Sequence, residues 1–411
     1  MLPEFKTSIP GPRSLELASR LREYESRNVT YVDGTWPVFW DRAEGTNVWD
    51  VDGNRFLDFT SAFGVAGLGH RHPEVVEAMQ AQSEKLLHGM GDVHPTELKV
   101  ELCARLSKLT FERWNCGTGK VILSNSGFEA IESALKTARL ATGRPGVLAF
   151  ENGYHGLGYG SLLATDLEKF RGPFVDQLAE VTTRLPYGKF EGPDPAGIGA
   201  VLLEPVQGRG GKVMPPPGFL EAVRDWCDRN GVVLIFDEIY TGFFRTGSMF
   251  ATDWAGVIPD LICVGKAMSG GFPISACVGK AELMDAWPES PGEALHTSTF
   301  LGHPVGCAMA LTSLEILERP ETARLVAGVS SLLEEKLKGL DWPQIREVRG
   351  RGVMWGLELQ ENAGPLLARL LARGLIFLAD GPQGKVLSFT PPFGMSGEEL
   401  DFALGEIEAA L

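Results

Sequence analysis

Two residues set the chemistry open to this chain. Lys266 follows the short apolar run Leu261-Ile-Cys-Val264 and Gly265, and Asp237 ends the run Val232-Val-Leu-Ile-Phe236. Runs this short, apolar throughout and rich in β-branched residues, predict strands buried on both faces. Open α/β sheets collect their ligands at the carboxyl ends of such strands. The pattern therefore delivers one amine and one carboxylate to the same sheet edge. Gly265 before the lysine and Ser269-Gly-Gly-Phe-Pro273 after it leave room for a bulky planar group. A desolvated lysine has a depressed pKa and becomes a nucleophile toward an aldehyde. An aspartate facing a pyridine nitrogen keeps it protonated and turns the ring into an electron sink. Singly, either residue is more often half of a buried ion pair; together they meet the demands of pyridoxal phosphate.

Other elements supply the rest of such a site. Residues 121–123 predict a strand, Ser124-Asn-Ser-Gly127 a turn, and the residues beyond it a long helix. A helix N-terminus presents unpaired N–H groups and a positive dipole end to a phosphate. Ser126, Gly127 and Phe128 are thus candidate phosphate ligands, although a Ser-Gly pair before a helix is usually only a cap. Residues 147–150 predict another buried strand, and it leads into Glu151-Asn-Gly-Tyr-His-Gly156, which carries Tyr154. A further strand precedes Glu204-Pro-Val-Gln-Gly-Arg-Gly-Gly211. This is not a nucleotide P-loop, because the Walker spacing and the Ser/Thr after Lys212 are missing. Strands alternating with helices through the middle of the chain predict a mainly parallel sheet covered by helices.

Phe236-Asp-Glu-Ile-Tyr-Thr-Gly-Phe-Phe-Arg-Thr-Gly247 and Gly265-Lys-Ala-Met-Ser-Gly-Gly-Phe-Pro273 resemble the core motifs of the class III aminotransferases. These are fold-type I pyridoxal-phosphate enzymes that include the ω-aminotransferases. The resemblance spans nearly the whole chain, with the motifs in the family's order. It implies an α/β fold with a mainly parallel, seven-stranded sheet in a large domain at residues 61–305. A smaller α+β domain is expected from residues 1–60 and 306–411. Lys266 is implied as the covalent attachment point and proton shuttle, and Asp237 as the partner of the pyridine nitrogen. Ser126, Gly127 and Phe128 are implied at the phosphate, Tyr154 and Ile239 on the two ring faces, and Gln207 near the phenolic oxygen. Glu204 matches the acid that pairs with a mobile arginine in many relatives. His296-Thr-Ser-Thr-Phe-Leu-Gly-His-Pro304 resembles the segment whose threonine, here Thr299, reaches the phosphate in the neighbouring subunit of a homodimer. Phe63, in the Gly-rich stretch at 60–73, is implied at the mouth of the site.

The chain departs from the family's pattern where substrates are read. Many relatives carry an arginine three residues before the late Pro-Pro pair, and here that residue is Ser388. 4-Aminobutyrate aminotransferases also carry one directly after the His-Gly motif, and here that residue is Leu157. A guanidinium reads a carboxylate through two parallel hydrogen bonds, which serine and leucine cannot reproduce. The expected reaction therefore moves an amino group from an amine, ω-amino acid or amino acid to a 2-oxo acid smaller than 2-oxoglutarate. Arg209 is one substitute guanidinium the sequence offers without placing it.

The formal net charge of −15 argues against a nucleic-acid or anionic-membrane surface. With 44% hydrophobic residues the chain can bury a large core. Six cysteines without a CxxC pair read as free thiols in a reducing compartment. With no signal-peptide core and no membrane-length apolar run, they point to a cytoplasmic protein. His70 and His72 stand without a recognisable metal-ligand spacing, so no metal is expected. Two alternatives stay open at this point. One is an amino-acid racemase or epimerase using the same cofactor, to which loss of the carboxylate-reading arginines is suited. The other is a non-catalytic protein on the same fold, against which the intact Lys266 and Asp237 pair counts.

Overall fold

The structure, a computed structural model, describes residues 1–31 and 36–411. A seven-stranded sheet organises it. In spatial order its strands are Gly119–Ser124, Ser275–Lys280, Leu261–Val264, Val233–Asp237, Ile198–Leu203, Gly146–Phe150 and Thr182–Leu185. All run the same way except Ser275–Lys280, which is antiparallel to both of its neighbours. This arrangement agrees with the mainly parallel, seven-stranded sheet expected. The apolar run of the reversed strand is only Ala276-Cys277-Val278, and its direction was not anticipated. Because it runs backwards, it begins where the others end, with Ser275 paired to Ser124.

The strand Val233–Asp237 is buried throughout, and its side chains alternate between two cores. Val233 and Ile235 pack with Ala130, Ile131 and Ala134 of the helix Gly127–Thr142. Leu234 and Phe236 pack with Phe219, Val223 and Trp226 of the helix Phe219–Asn230. Each such large apolar side chain contributes roughly 1.5–3 kcal/mol on burial. Both faces are thus closed, and only the strand ends remain free to meet a ligand.

The two chain ends meet beside that edge. Trp40–Glu44, Asn47–Asp50 and Arg55–Asp58 form an antiparallel meander, and Leu375–Ile376 adds a parallel strand to it. Ile345–Arg351, Met354–Leu359, Val386–Phe389 and Leu378–Asp380 form a separate four-stranded antiparallel sheet. Phe59, Phe377 and Phe389 join the two, with Phe59 stacked on Phe377 at 4.5 Å between centroids. Between the meander and the large sheet, Ser61, Ala62, Phe63 and Gly64 form a left-handed turn with φ of 46°, 48°, 62° and 81°. Asp58 sustains it by accepting from the N–H groups of Thr60 and Ala62, and His70 holds Asp58 at 2.7 Å. All six cysteines are free thiols. Among the described residues no helix is long and apolar enough to cross a membrane.

Candidate active site

A cavity of about 710 Å³ opens at the carboxyl edge of the large sheet. Ser126, Gly127, Phe128, Tyr154, Glu204, Asp237, Ile239 and Lys266 all line it, as do Phe63, Leu157 and Arg209. These residues lie far apart in sequence. All but Phe63 are gathered because they stand at the ends of strands of the parallel sheet.

Lys266 comes one residue after Leu261–Val264 plus Gly265, with the left-handed φ of 45° that non-glycine residues seldom adopt. Among the described residues its amine makes no ion pair and no hydrogen bond, and it sits 4.4 Å from the centroid of the Tyr240 ring. Burial pushes its pKa down to about 8; Asp237 and Glu204 oppose the drop, while Lys212 and Arg209 add to it. The Tyr240 hydroxyl is 3.1 Å from Thr390 Oγ1, which fixes the ring on which the amine rests.

Asp237 closes the far side. Its Oδ2 lies 2.8 Å from His155 Nδ1, and its Oδ1 accepts the Ile239 N–H at 3.1 Å. The first of these bonds ties the imidazole to the carboxylate. His155 is held in turn by donating its backbone N–H to Thr165 Oγ1 at 2.9 Å. Sequence reasoning missed His155. The signal was its place beside Tyr154 in Tyr154-His-Gly156, but a lone histidine does not announce a carboxylate 82 residues away.

Glu204 is buried behind this pair. Its two oxygens accept the N–H groups of Tyr154 and Gly208, both at 2.9 Å. Burial raises its pKa to about 7; His155 opposes that rise and Asp237 adds to it. The arginine partner implied for Glu204 is not found: among the described residues it forms no ion pair. Backbone amides already occupy both oxygens.

At the start of the helix Gly127–Thr142, Glu129 Oε2 accepts the N–H groups of Asn125 and Ser126 at 2.9 and 2.8 Å. The helix beginning at Gly127 thereby keeps its own first N–H groups, those of Gly127 and Phe128, without an intrahelical partner. Gly127 is obligatory in space, because a Cβ there would lie 2.9 Å from Ile239 Cδ1. Ser275 Oγ donates to the Ser126 carbonyl at 2.6 Å, so the reversed strand braces the turn.

Two expected residues lie off the cavity. Gln207 donates its Nε2 to the Glu151 carbonyl at 2.8 Å, while its Oε1 is buried without a partner. Its backbone pairs with Val213, which directs the side chain beneath the loop carrying Tyr154 rather than into the cavity. Thr299 is exposed on the surface of the single chain. Ser388 is buried in the Val386–Phe389 strand and does not reach the cavity, whereas Leu157 lines it and is 49% exposed.

Residues 30–411 match the class-III aminotransferase family. An acetylornithine aminotransferase of Methanosarcina mazei is 35% identical over 389 residues, covering 94% of this chain and 95% of that protein. A 4-aminobutyrate aminotransferase of Mycobacterium leprae is 35% identical over 434 residues, covering 97% and 95%. The ornithine aminotransferase of Toxoplasma gondii, solved with partial occupancy of pyridoxal phosphate at its active site, superposes with a TM-score of 0.85. It is 30% identical and covers 97% of this chain and 93% of that one. These relatives are aminotransferases, and the racemase alternative finds no support among them.

Proposed function

The chain belongs to the class-III aminotransferases, and on that premise we propose the parts its residues take in carrying an amino group from a donor amine to a 2-oxo acid. Pyridoxal phosphate supplies the aldehyde and the electron-withdrawing ring on which the exchange depends. What carries the reading is Lys266, an amine without a partner among the described residues, in the same cavity as a buried Asp237 backed by His155.

With the cofactor bound, Lys266 Nζ would be the group that attaches to its aldehyde and would carry the proton at the substrate carbon. One residue can do both because burial keeps its amine partly neutral. Asp237 would face the pyridine nitrogen of the bound cofactor, and its hydrogen bond to His155 orients it. The free N–H groups of Gly127 and Phe128 with the Ser126 hydroxyl take the phosphate. Tyr154 and Ile239 take the two ring faces, and Gln207 acts from behind by holding the Tyr154 loop. Glu204 anchors that loop to the Gly208 turn.

Thr299 completes the phosphate site of a second copy in a homodimer. Its exposure in the single chain supports this, as do exposed apolar side chains nearby in sequence or at the cavity rim, such as Leu295, Phe300, Phe128 and Phe63. Donors are amines or ω-amino acids, since neither Leu157 nor Ser388 offers a guanidinium.

Absorbance spectroscopy of the purified protein tests the assignment. A visible band should form with pyridoxal phosphate, bleach when a donor amine is added alone, and return with pyruvate. No visible band after cofactor addition, or the same band from Lys266→Ala, would sink it.

A further inference from the structure

Among the described residues, the cavity wall carries, besides the Lys266 amine, one permanent cation, Arg209. Its guanidinium carbon lies 5.2 Å from the Tyr154 ring centroid and 5.4 Å from that of Phe170. The two rings stand 5.5 Å apart at 63° and form a corner. Aromatic faces hold a guanidinium by its plane and leave its N–H edges unspent. Among the described residues no carboxylate or carbonyl bonds the Arg209 side chain, so its forked donors remain available inside a largely apolar cavity.

That freedom needs an explanation, because three acids share the cavity. Glu204 is held by two backbone amides and Asp237 by His155 and Ile239. The third, Asp380, is brought next to Arg209 by the chain itself: the Gly381 N–H donates to the Arg209 carbonyl at 2.9 Å. Asp380 is nonetheless taken by the fully buried Lys212, with Nζ to Oδ2 at 2.5 Å. Lys212 is fixed there by the Gly208 carbonyl at 3.3 Å and by the Tyr240 ring at 4.7 Å.

We propose that Arg209 receives the carboxylate of a small monocarboxylic 2-oxo acid, and that Lys212 keeps the guanidinium free by holding Asp380. This rests on the aminotransferase assignment above and names its acceptor. One guanidinium reads one carboxylate. A second carboxylate, as in 2-oxoglutarate, would meet Phe63, Leu157, Phe272 and Leu378 instead of a cation, which is costly without a partner. Arg209, kept free by Lys212, thus stands in for the guanidinium that Ser388 lacks.

The test uses holoenzyme and two readouts. Pyruvate kinetics should show the KM of Arg209→Gln raised about 10- to 100-fold, with kcat changed far less. Calorimetric binding of propionate, which cannot react, should weaken by a similar factor. Lys212→Met should produce the same loss by releasing Asp380 onto Arg209, and Lys212→Met with Asp380→Leu should restore pyruvate affinity. Arg209→Lys, which keeps the charge without the fork, should fall between wild type and Arg209→Gln. Unchanged pyruvate KM and propionate binding in Arg209→Gln would overturn the assignment of Arg209. Failure of the double variant to recover would overturn the part given to Lys212. A wild type that binds propionate through Arg209 yet turns over no donor would overturn the aminotransferase reading alone.

Discussion

In the protein stripped of cofactor, Lys266 should titrate near pH 8 rather than near its ordinary 10.5, because burial pushes it down to about 8. At pH 7 about a tenth of the amines are then neutral, against roughly one in three thousand for an unperturbed lysine, a gain of about 300-fold in nucleophile. The sign of each neighbour follows from its charge. Glu204→Gln removes a carboxylate that holds the value up, so the inflection should move below about 8. Lys212→Met removes a cation that holds it down, so the inflection should move above. The same shift bears on stability. The folded pKa lies below the unfolded one, so the folded state resists charging. The contribution is full above 10.5 and is lost as pH falls through about 8. Lys266→Met should therefore melt higher than wild type at neutral pH without cofactor, by at most about 3 kcal/mol. The assay is the rate at which visible absorbance grows after pyridoxal phosphate is added, measured across about pH 6 to 11, with Lys266→Ala as the blank. An inflection near 10.5 would refute the reasoning, as would shifts of Glu204→Gln and Lys212→Met in the same direction.

Gly64→Ala should cost about 2–4 kcal/mol in thermal unfolding and impair cofactor binding, because its Cβ would stand 2.5 Å from Tyr240 Cε2 at a φ of +81°. A variant that melts like wild type would remove the left-handed turn from the site's support. Glu204 is raised to about 7 by burial, above its unfolded 4.5, so its contribution to stability is full below 4.5 and is lost as pH rises through 7. The melting temperature of cofactor-free Glu204→Gln should accordingly decline less than that of wild type over this window, and parallel curves would contradict it. Thr299→Ala should weaken cofactor retention about tenfold without lowering the melting temperature of the cofactor-free protein. Fluorescence titration with pyridoxal phosphate checks it, and unchanged affinity would remove Thr299 from the shared site.

The chemistry of the site was legible wherever it was written locally. The apolar runs ending at Asp237 and Lys266, the Ser126-Gly127 turn before a long helix and the loop bearing Tyr154 each pair a short strand with the residue at its tip. A parallel sheet aligns all such tips along one edge, so periodicity alone brought most of the candidate residues into one cavity. The reversed strand Ser275–Lys280 was not legible, because its apolar run is only the three residues Ala276-Cys277-Val278 and says nothing of direction; its place is set by pairing with strands on both sides.

Tertiary structure decided which polar groups are satisfied and which are left over. Asp237 meets His155 across 82 residues and Lys212 meets Asp380 across 168. No local periodicity encodes such pairs, since a hydrogen bond depends on ångström-scale approach between loops that only the packed sheets bring together. Gln207 turned away from the cavity for the same reason, its backbone captured by Val213. The sequence by itself placed Lys266 and Asp237 at neighbouring strand ends, because strand-end positions follow from burial of apolar runs. The fold alone decided that, among the described residues, Arg209 has no acid partner and Lys266 no counter-ion, because such pairing depends on approach between loops far apart in sequence.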